Sequence, residues 1–211
     1  MQHWLTLFIQ QISDTSLIEW LAVAFAVAEV LLARINNKLL YPAGIISTAI
    51  FIYIMYAAHL FAESWLNVYY LVMSIYGWLH WIRKKNEPPL PITHVNTKDR
   101  IITIGIILGS WAILYYILHV YTISTVPVWD AWVSATAWAG MWLLARRKIE
   151  NWLVLNLSNL FAIPLLLYKG LPLTACLTLF LFIVAIFGYL QWKKLHRTQA
   201  IQRQQHPALE H

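Results

Sequence analysis

Polar side chains inside long apolar segments are the first candidates for chemistry in this chain. Glu29 lies within the apolar run 26–31, and Asn156 and Asn159 lie within the apolar run 152–168. An ionisable group in hydrocarbon costs roughly 2.5–3.5 kcal/mol on insertion scales, so such a group is a functional candidate by default. The two amides are spaced i, i+3 and share a helix face. A carboxylate and paired amides could together bind a polar or cationic solute.

Each of these groups also has a structural interpretation. Glu29 could form an ion pair with Arg34, or it could be solvated near the end of its segment. Asn156 and Asn159 could instead join neighbouring helices by hydrogen bonds. The sequence leaves both alternatives open.

A second candidate set lies in residues 65–82. Asn67 and Ser74 are seven positions apart and share a helix face, and Trp78 and Trp81 flank one side of the same segment. An aromatic face can hold a flat cationic ring by stacking and cation–π attraction, worth about 0.5–2 kcal/mol per ring. Trp192 stands at the matching place in a later segment. The alternative interpretation is that these rings belong to an interfacial aromatic belt.

Composition defines the class of protein. The chain has 211 residues, of which 60% are hydrophobic and 11% charged, against about 25% charged in soluble domains. This predicts an integral membrane protein, whose net charge of +6 reflects basic loops rather than a nucleic-acid partner. We find no paired acids, nucleophile motif or metal-ligand spacing, so we expect no enzyme activity, catalytic residue, metal or cofactor.

The sequence contains an internal repeat. Leu-Leu-Ala-Arg occurs at 31–34 and again at 143–146. Gly-Trp-Leu-His-Trp at 77–81 matches Gly-Tyr-Leu-Gln-Trp at 188–192, at an offset that differs from the first by a single position. The order and near-constant offset indicate a duplicated unit, which is common in membrane transporters.

Seven segments are long and apolar enough to cross a bilayer, which takes about 20 residues. They lie at about 17–33, 39–56, 65–82, 101–119, 128–145, 152–168 and 171–192. The repeat relates the first three to the last three, and the odd fourth helix inverts the chain between them. We therefore predict an all-α membrane protein with a 3+1+3 arrangement and a parallel repeat.

The predicted units follow from these segments. They are an N-terminal segment 1–16, a first three-helix repeat 17–82, a linker 83–127 that carries the fourth helix, a second repeat 128–192 and a polar tail 193–211. The tail is expected to be partly disordered, and its final residues 208–211 read as the remnant of an expression tag.

Charge predicts the orientation. With seven spans, the loops on one side hold all but one of the 15 Lys and Arg, and the exception is Lys169. Basic loops stay in the cytoplasm. The N-terminus is therefore expected outside and the C-terminus inside.

Two stretches resemble the PnuC family of bacterial vitamin transporters. They are Ser74-Ile75-Tyr76-Gly77-Trp78-x-x-Trp81 and the run 147–152, Arg-Lys-Ile-Glu-Asn-Trp, followed by Asn159. The resemblance covers about residues 17–194. It implies a fold similar to a full-length SWEET transporter, a homotrimer in the bacterial inner membrane, and facilitated diffusion of a vitamin that is trapped inside by phosphorylation.

The resemblance leaves the vitamin open. Most members carry nicotinamide riboside, and relatives called PnuT carry thiamine. Riboside carriers typically have Gln and Asn on the third span, where this chain has Asn67 and Ser74. Since a carboxylate at Glu29 could hydrogen-bond the aminopyrimidine of thiamine, thiamine is the first expectation.

The sequence thus predicts a facilitator of a cationic aromatic vitamin that works by alternating access. Nicotinamide riboside is the alternative within the family, and a non-transporting membrane scaffold is the alternative from another class. The predicted solute-binding residues are Glu29, Asn67, Ser74, Trp78, Trp81, Asn156, Asn159 and Trp192.

Overall fold

The computed structural model describes residues 2–59, 61–82, 91–122 and 124–205, and these residues form eight helices. They are α1 Gln2–Asp14, α2 Leu17–Arg34, α3 Leu40–Ala57, α4 Phe61–Trp81, α5 Thr97–Tyr121, α6 Pro127–Ala145, α7 Asn151–Tyr168 and α8 Pro172–Gln205. The all-α class is as predicted. The helix count exceeds the predicted seven because α1 had not been foreseen.

Local signals in the sequence start several helices. Ser16 and Glu19 form a capping box at the start of α2, in which each side chain accepts a hydrogen bond from the other residue's backbone N–H. Asn96 and Asp99 do the same for α5. Such a box satisfies two of the amides that a helix N-terminus leaves unpaired. Pro127 begins α6, where its missing N–H costs nothing.

Length and hydropathy support part of the predicted set of membrane spans. In the described part of the chain, α3, α5, α7 and α8 are long and apolar enough to cross a membrane. α1 and α2 would add a fifth span as a pair bent by 102°. α4 and α6 are also long enough, but Trp, Tyr and polar side chains lower their mean hydropathy.

The internal repeat is visible in the backbone. Asn36 and Arg147 both have positive φ, at 58° and 54°, and so do His59 and Gly170, at 60° and 71°. The two members of each pair stand equally far apart along the chain. A non-glycine residue rarely adopts this left-handed conformation. Its recurrence at one offset shows that the two three-helix units share their turn geometry.

A side-chain hydrogen bond also recurs at equivalent positions of the two repeats, with the same offset. Ser47 of α3 donates a hydrogen bond to the carbonyl of Ala22 in α2, and Ser158 of α7 donates one to the carbonyl of Val133 in α6. Both serines are buried. A buried hydroxyl needs such a partner, so each unit uses one serine to join its first helix to its second.

The two units interlock through their outer helices. α2 contacts α8, and α4 contacts α6. Trp81 at the end of α4 donates its indole N–H to the carbonyl of Ala145, 3.0 Å away, at the end of α6. Trp192 of α8 donates to the carbonyl of Ala33, 2.9 Å away, at the end of α2. The ends of α2, α4 and α6 therefore meet Trp192 of α8 at one end of the bundle.

We call the end of the bundle where α2, α4 and α6 end the basic end. It is held further by a strap, residues 92–96, which comes from the predicted linker. The backbone of Thr93 pairs with the loop after α6, and His94 Nδ1 lies 2.7 Å from a carboxylate oxygen of Glu150. Asp99 of α5 forms an ion pair with Lys148 at 2.8 Å. The rest of the predicted proline-rich loop, residues 83–90, lies outside the described residues.

Residues 193–205 of the predicted polar tail are helical in the structure. α8 continues without a break to Gln205, well past the predicted boundary at 192. His196 lies 2.8 Å from the carbonyl of Ile92, and Gln199 accepts a hydrogen bond from the backbone N–H of Ile92. The expectation of disorder after Lys193 is therefore wrong for the described part, since this extension anchors the strap. The predicted tag remnant, 208–211, lies outside the described residues.

The other end of the bundle is the acidic end, where α1 ends, α2 and α6 begin, and α7 turns into α8. Gln11 of α1 donates to the carbonyl of Gly170 at 2.7 Å and accepts from the backbone N–H of Leu173. Most of the predicted N-terminal segment thus forms the helix α1, Gln2–Asp14, which is seated on this end.

Candidate functional site

Glu29 lies inside the bundle, where α2 packs on α3. A methyl group at Gly44 of α3 would fall 2.5 Å from Glu29 Oε1, so the absent side chain of Gly44 makes room for the carboxylate. Arg34 does not pair with Glu29. Its Nε instead donates to Gln191, and its guanidinium lies over the ring of Phe187. Among the described residues nothing hydrogen-bonds Glu29, which leaves the carboxylate able to accept from a solute.

The predicted residues of α4 occupy different environments. Ser74 is fully buried, and its hydroxyl has no hydrogen-bond partner among the described residues. Asn67 is half-buried on the same helix face. Trp78 is 36% exposed, so its ring is at the surface of the isolated chain. A buried unpaired hydroxyl usually has an unseen partner such as water or a ligand, which keeps Ser74 among the candidates.

Asn156 and Asn159 of α7 contact each other as predicted. The side-chain N–H of Asn159 lies 3.5 Å from the amide oxygen of Asn156, a weak contact at the limit of a hydrogen bond. Both residues are half-buried. Because the described chain gives them no other side-chain hydrogen bond, most of their donors and acceptors are available to a solute.

Trp81 and Trp192 are core residues in this conformation. Trp192 is fully buried and Trp81 is 7% exposed. Their ring centroids lie 6.2 Å apart, and each indole N–H is bonded to the opposite repeat. This burial gives Trp192 no surface for a solute here. The structure thus favours a role in closing the basic end over the predicted role in lining a path.

Arg147 completes this closure. Its guanidinium lies 4.2 Å from the ring centroid of Trp81 and donates to the side-chain oxygen of Asn36, the residue at the equivalent place in the other repeat. Burial lowers the pKa of Arg147 to about 10, against an opposing effect from Tyr41. The group therefore stays protonated at neutral pH, and a fixed positive charge sits at the junction of the repeats.

A cavity opens towards the acidic end. Its volume is about 830 Å³, and its lining comes from α4, α5, α6, α7 and the turn after α7. Asp130 at its wall pairs with Lys169 at 2.6 Å. A smaller recess of about 370 Å³, lined in part by Asn36, Lys38 and Arg147, lies at the basic end.

The structure brings together part of the predicted set. Asn156 meets Asn159 and Trp81 meets Trp192, but the described contacts join Glu29 to neither pair. The contact of Tyr69 in α4 with Trp138 in α6, whose rings stack 4.2 Å apart across the repeats, was not predicted from the sequence. No local pattern marks such a long-range pair. Asn36 and Arg147 could have been found, since they stand at the repeat offset.

Two interlocked helical repeats with polar side chains inside the bundle and a cavity between the elements are an arrangement found in many membrane solute transporters. Comparison with known proteins agrees. The family model described as "Nicotinamide mononucleotide transporter" matches residues 16–194. The chain belongs to this family, which is the PnuC family recognised from its sequence motifs.

Individual relatives bear the name of that family. The chain is 22% identical over 187 residues to the "Nicotinamide riboside transporter PnuC" of Escherichia coli strain K12, covering 76% of this chain and 77% of the relative. The protein of that name from Shigella flexneri gives the same values.

The fold is also known from a solved structure. The "Crystal structure of the Vitamin B3 transporter PnuC" superposes with a TM-score of 0.68 at 18% identity, covering 93% of this chain and 89% of that one. The comparisons give no support to thiamine as the solute. They favour the alternative, nicotinamide riboside, which corrects the first expectation from sequence.

Proposed function

We propose that this protein carries nicotinamide riboside across the membrane by facilitated diffusion. The similarity to proteins named for nicotinamide riboside or vitamin B3 supports this solute over thiamine, and the charge of the helices supports it over a phosphorylated solute. Glu29 places an acidic side chain within the bundle, and no Lys or Arg occurs in 39–82, 101–145, 149–168 or 170–192. Nicotinamide riboside is a pyridinium cation without a phosphate, so it matches a site with an acid and no base.

The same observation argues against the mononucleotide named in the family description. A phosphate carries about −1.5 to −2 charges near neutral pH, and in an apolar bundle it would need a basic partner. Arg34 and Arg147 stand at the basic end, and Lys169 in the wall of the acidic-end cavity is already paired with Asp130. Thiamine is the first expectation from sequence because Glu29 could hydrogen-bond its aminopyrimidine, and because Asn67 and Ser74 replace the Gln and Asn of riboside carriers. Asn156 and Asn159 offer a replacement amide pair for the carboxamide or the ribose.

The proposed solute site uses six of the predicted residues. Glu29 would attract the pyridinium ring, and Trp78 would stack on it. Hydrogen bonds to the carboxamide and ribose would come from four polar side chains, which are Asn67, Ser74, Asn156 and Asn159. Trp81 and Trp192 take a different role, since they would close the path at the basic end.

Alternating access would arise from the 3+1+3 arrangement. The units α2–α4 and α6–α8 would rock about the solute, with α5 as the linking helix. Breaking the two Trp-to-carbonyl bonds would open the basic end, and the acidic-end cavity would then close. Because the basic end holds nearly all Lys and Arg, it faces the cytoplasm in this proposal. The N-terminus would lie outside and the C-terminus inside, in the inner membrane of a bacterium.

Assembly and trapping belong to the same proposal. α5 packs chiefly on α6 and leaves Ile101, Ile104, Leu108 and Tyr116 exposed. This apolar face would contact lipid or the other subunits of a homotrimer. Accumulation would depend on phosphorylation of the riboside by another protein inside the cell, since facilitated diffusion by itself only equalises concentrations.

Proteoliposome counterflow tests the proposal. Vesicles loaded with unlabelled nicotinamide riboside should take up the labelled compound faster than empty vesicles do, and a proton uncoupler should leave this rate unchanged. Exchange of thiamine should be much slower. A non-transporting scaffold would give no exchange above protein-free vesicles, and accumulation of the riboside against its gradient under an imposed proton gradient would replace facilitated diffusion by proton coupling.

A further inference from the structure

The acidic-end cavity contains an ion pair that the proposed solute site does not use. Asp130 in the first turn of α6 accepts hydrogen bonds from Lys169 through both carboxylate oxygens, each at 2.6 Å. It also accepts one from the hydroxyl of Ser124. The Asp130 side chain is 18% exposed and that of Lys169 is 28% exposed. The pair is therefore within reach of a solute in the cavity.

The charge around the cavity favours a cation. Asp14, Glu19 and Asp130 lie at the acidic end, and Lys169 is the one Lys or Arg that the sequence places there. In the cavity wall itself Asp130 and Lys169 offset each other, but Asp14 and Glu19 give this end of the bundle an excess of negative charge. Such an excess concentrates cations near the cavity and speeds their association. A cationic ring would therefore accumulate at this end before it reached Glu29.

The cavity is large enough and leads inward. Its volume of about 830 Å³ falls in the usual range of about 300–1,000 Å³ for small-molecule pockets. Its walls include Leu66 of α4 and Leu166 of α7, one from each repeat. On α7, Asn159, Ala162 and Leu166 are spaced i, i+3, i+7 and share a helix face. The face of α7 that lines the cavity with Ala162 and Leu166 thus continues to Asn159 of the proposed amide pair.

We infer that Asp130 is an outer binding residue, at which the cationic solute first binds by displacing Lys169. Lys169 acts as an internal competitor that occupies the carboxylate when the cavity holds no cation. This inference rests on the proposed function. It adds a second binding position, which the solute reaches before the site around Glu29 and which favours cationic over neutral solutes.

A purely structural pair makes a different prediction. If Asp130 and Lys169 only clamp α6 to the turn after α7, neutralising either partner removes the same contact and both variants weaken transport alike. If Asp130 binds the solute, removing the acid weakens uptake, whereas removing the competing base strengthens it. The opposite signs separate the two roles even if both variants lose some stability.

The experiment compares three conservative variants in cells that lack their own uptake of nicotinamide riboside. Asp130→Asn should raise the half-saturating concentration of the riboside about tenfold, and Lys169→Gln should lower it. Glu19→Gln is the matched control, because Glu19 stands at the place in the first repeat that Asp130 holds in the second. It removes the same charge from the same end, and Gln preserves the capping box. It should change uptake less than twofold.

A neutral probe checks the charge selection. Reduced nicotinamide riboside has the same outline without the positive charge, so Asp130→Asn should leave its uptake nearly unchanged. If the wild-type protein carries no riboside, the proposed function fails and this inference fails with it. If the wild type carries riboside but Asp130→Asn behaves like Glu19→Gln, or Lys169→Gln weakens uptake as much as Asp130→Asn, the outer site alone is overturned.

Discussion

Glu29→Gln should weaken the binding of nicotinamide riboside about tenfold or more. The substitution keeps the shape of the side chain and removes its negative charge from a place inside the bundle. A hydrogen bond or close contact with a charged group is worth about 1.5–3 kcal/mol, and about 1.4 kcal/mol corresponds to a factor of ten in affinity. Quenching of tryptophan fluorescence in the purified protein, titrated with the riboside, measures the effect.

Glu19→Gln is the control for this result as well. It makes the same chemical change on the same helix, α2, but at an exposed position in the capping box. The control should bind the riboside as the wild type does. Equal affinity in wild type and Glu29→Gln, with both proteins equally stable, would assign Glu29 a structural role and remove it from the site.

The double variant Trp81→Phe/Trp192→Phe should increase local opening of the basic end more than any other conservative change there. Each substitution keeps an aromatic ring but leaves a carbonyl, of Ala145 or Ala33, without its indole donor. An unsatisfied buried group costs about 1–3 kcal/mol. Hydrogen–deuterium exchange of residues 31–41 and 143–152 should therefore be about ten to a hundred times faster in the variant.

Trp65→Phe provides the comparison. It lies on α4 like Trp81, but it is 73% exposed, so the same change there should leave exchange at the basic end as it is. The two core substitutions should also cost more together than the sum of the single effects, because they close one junction. Slow exchange in the double variant would mean that other contacts, such as the strap at 92–96, hold this end closed without the indoles.

A smaller effect tests how each repeat seats an aromatic ring. A methyl group at Gly188 of α8 would fall 2.7 Å from the ring of Trp152 in α7, and Gly77 faces Tyr41 in the same way. Gly188→Ala should therefore lower the free energy of unfolding by about 1–3 kcal/mol through overpacking. Gly109→Ala on α5, where a methyl would have no neighbour within 4 Å, should be neutral or slightly stabilising. Thermal unfolding in detergent compares the two, and equal stability would contradict the packing described.

The parts of the fold that could be predicted from the sequence are those that occur in both repeats, because the same hydrogen bonds hold both copies. The Leu-Leu-Ala-Arg ends matter because the carbonyls of Ala33 and Ala145 receive the indoles of Trp192 and Trp81. Both partners of these bonds are present in each copy, so both were visible as sequence matches. A contact that occurs in only one repeat produces no internal sequence match. The pair of Asp130 with Lys169 joins two helix ends that are distant in the chain and could not be read from spacing.

The helices at the two ends of the chain, α1 and the extension of α8, also could not be predicted from the sequence. α1 is too short and mixed in polarity to be recognised as a span, and α8 continues past its apolar part because His196 and Gln199 bind the strap at Ile92. The first choice of thiamine, which the comparisons do not support, failed for another reason. It relied on a hydrogen bond from Glu29 to the aminopyrimidine and on the replacement of Gln and Asn by Asn67 and Ser74 on α4, and did not weigh the amide pair on α7.

The measurement that tests the central claim most directly is the counterflow of labelled nicotinamide riboside in proteoliposomes, with thiamine and nicotinamide mononucleotide as competitors. We expect exchange of the riboside that excess unlabelled riboside abolishes and that neither competitor strongly reduces. Exchange that thiamine inhibits more strongly than the riboside itself would return the solute to the first expectation from sequence. No exchange of the riboside above protein-free vesicles would contradict the proposed function.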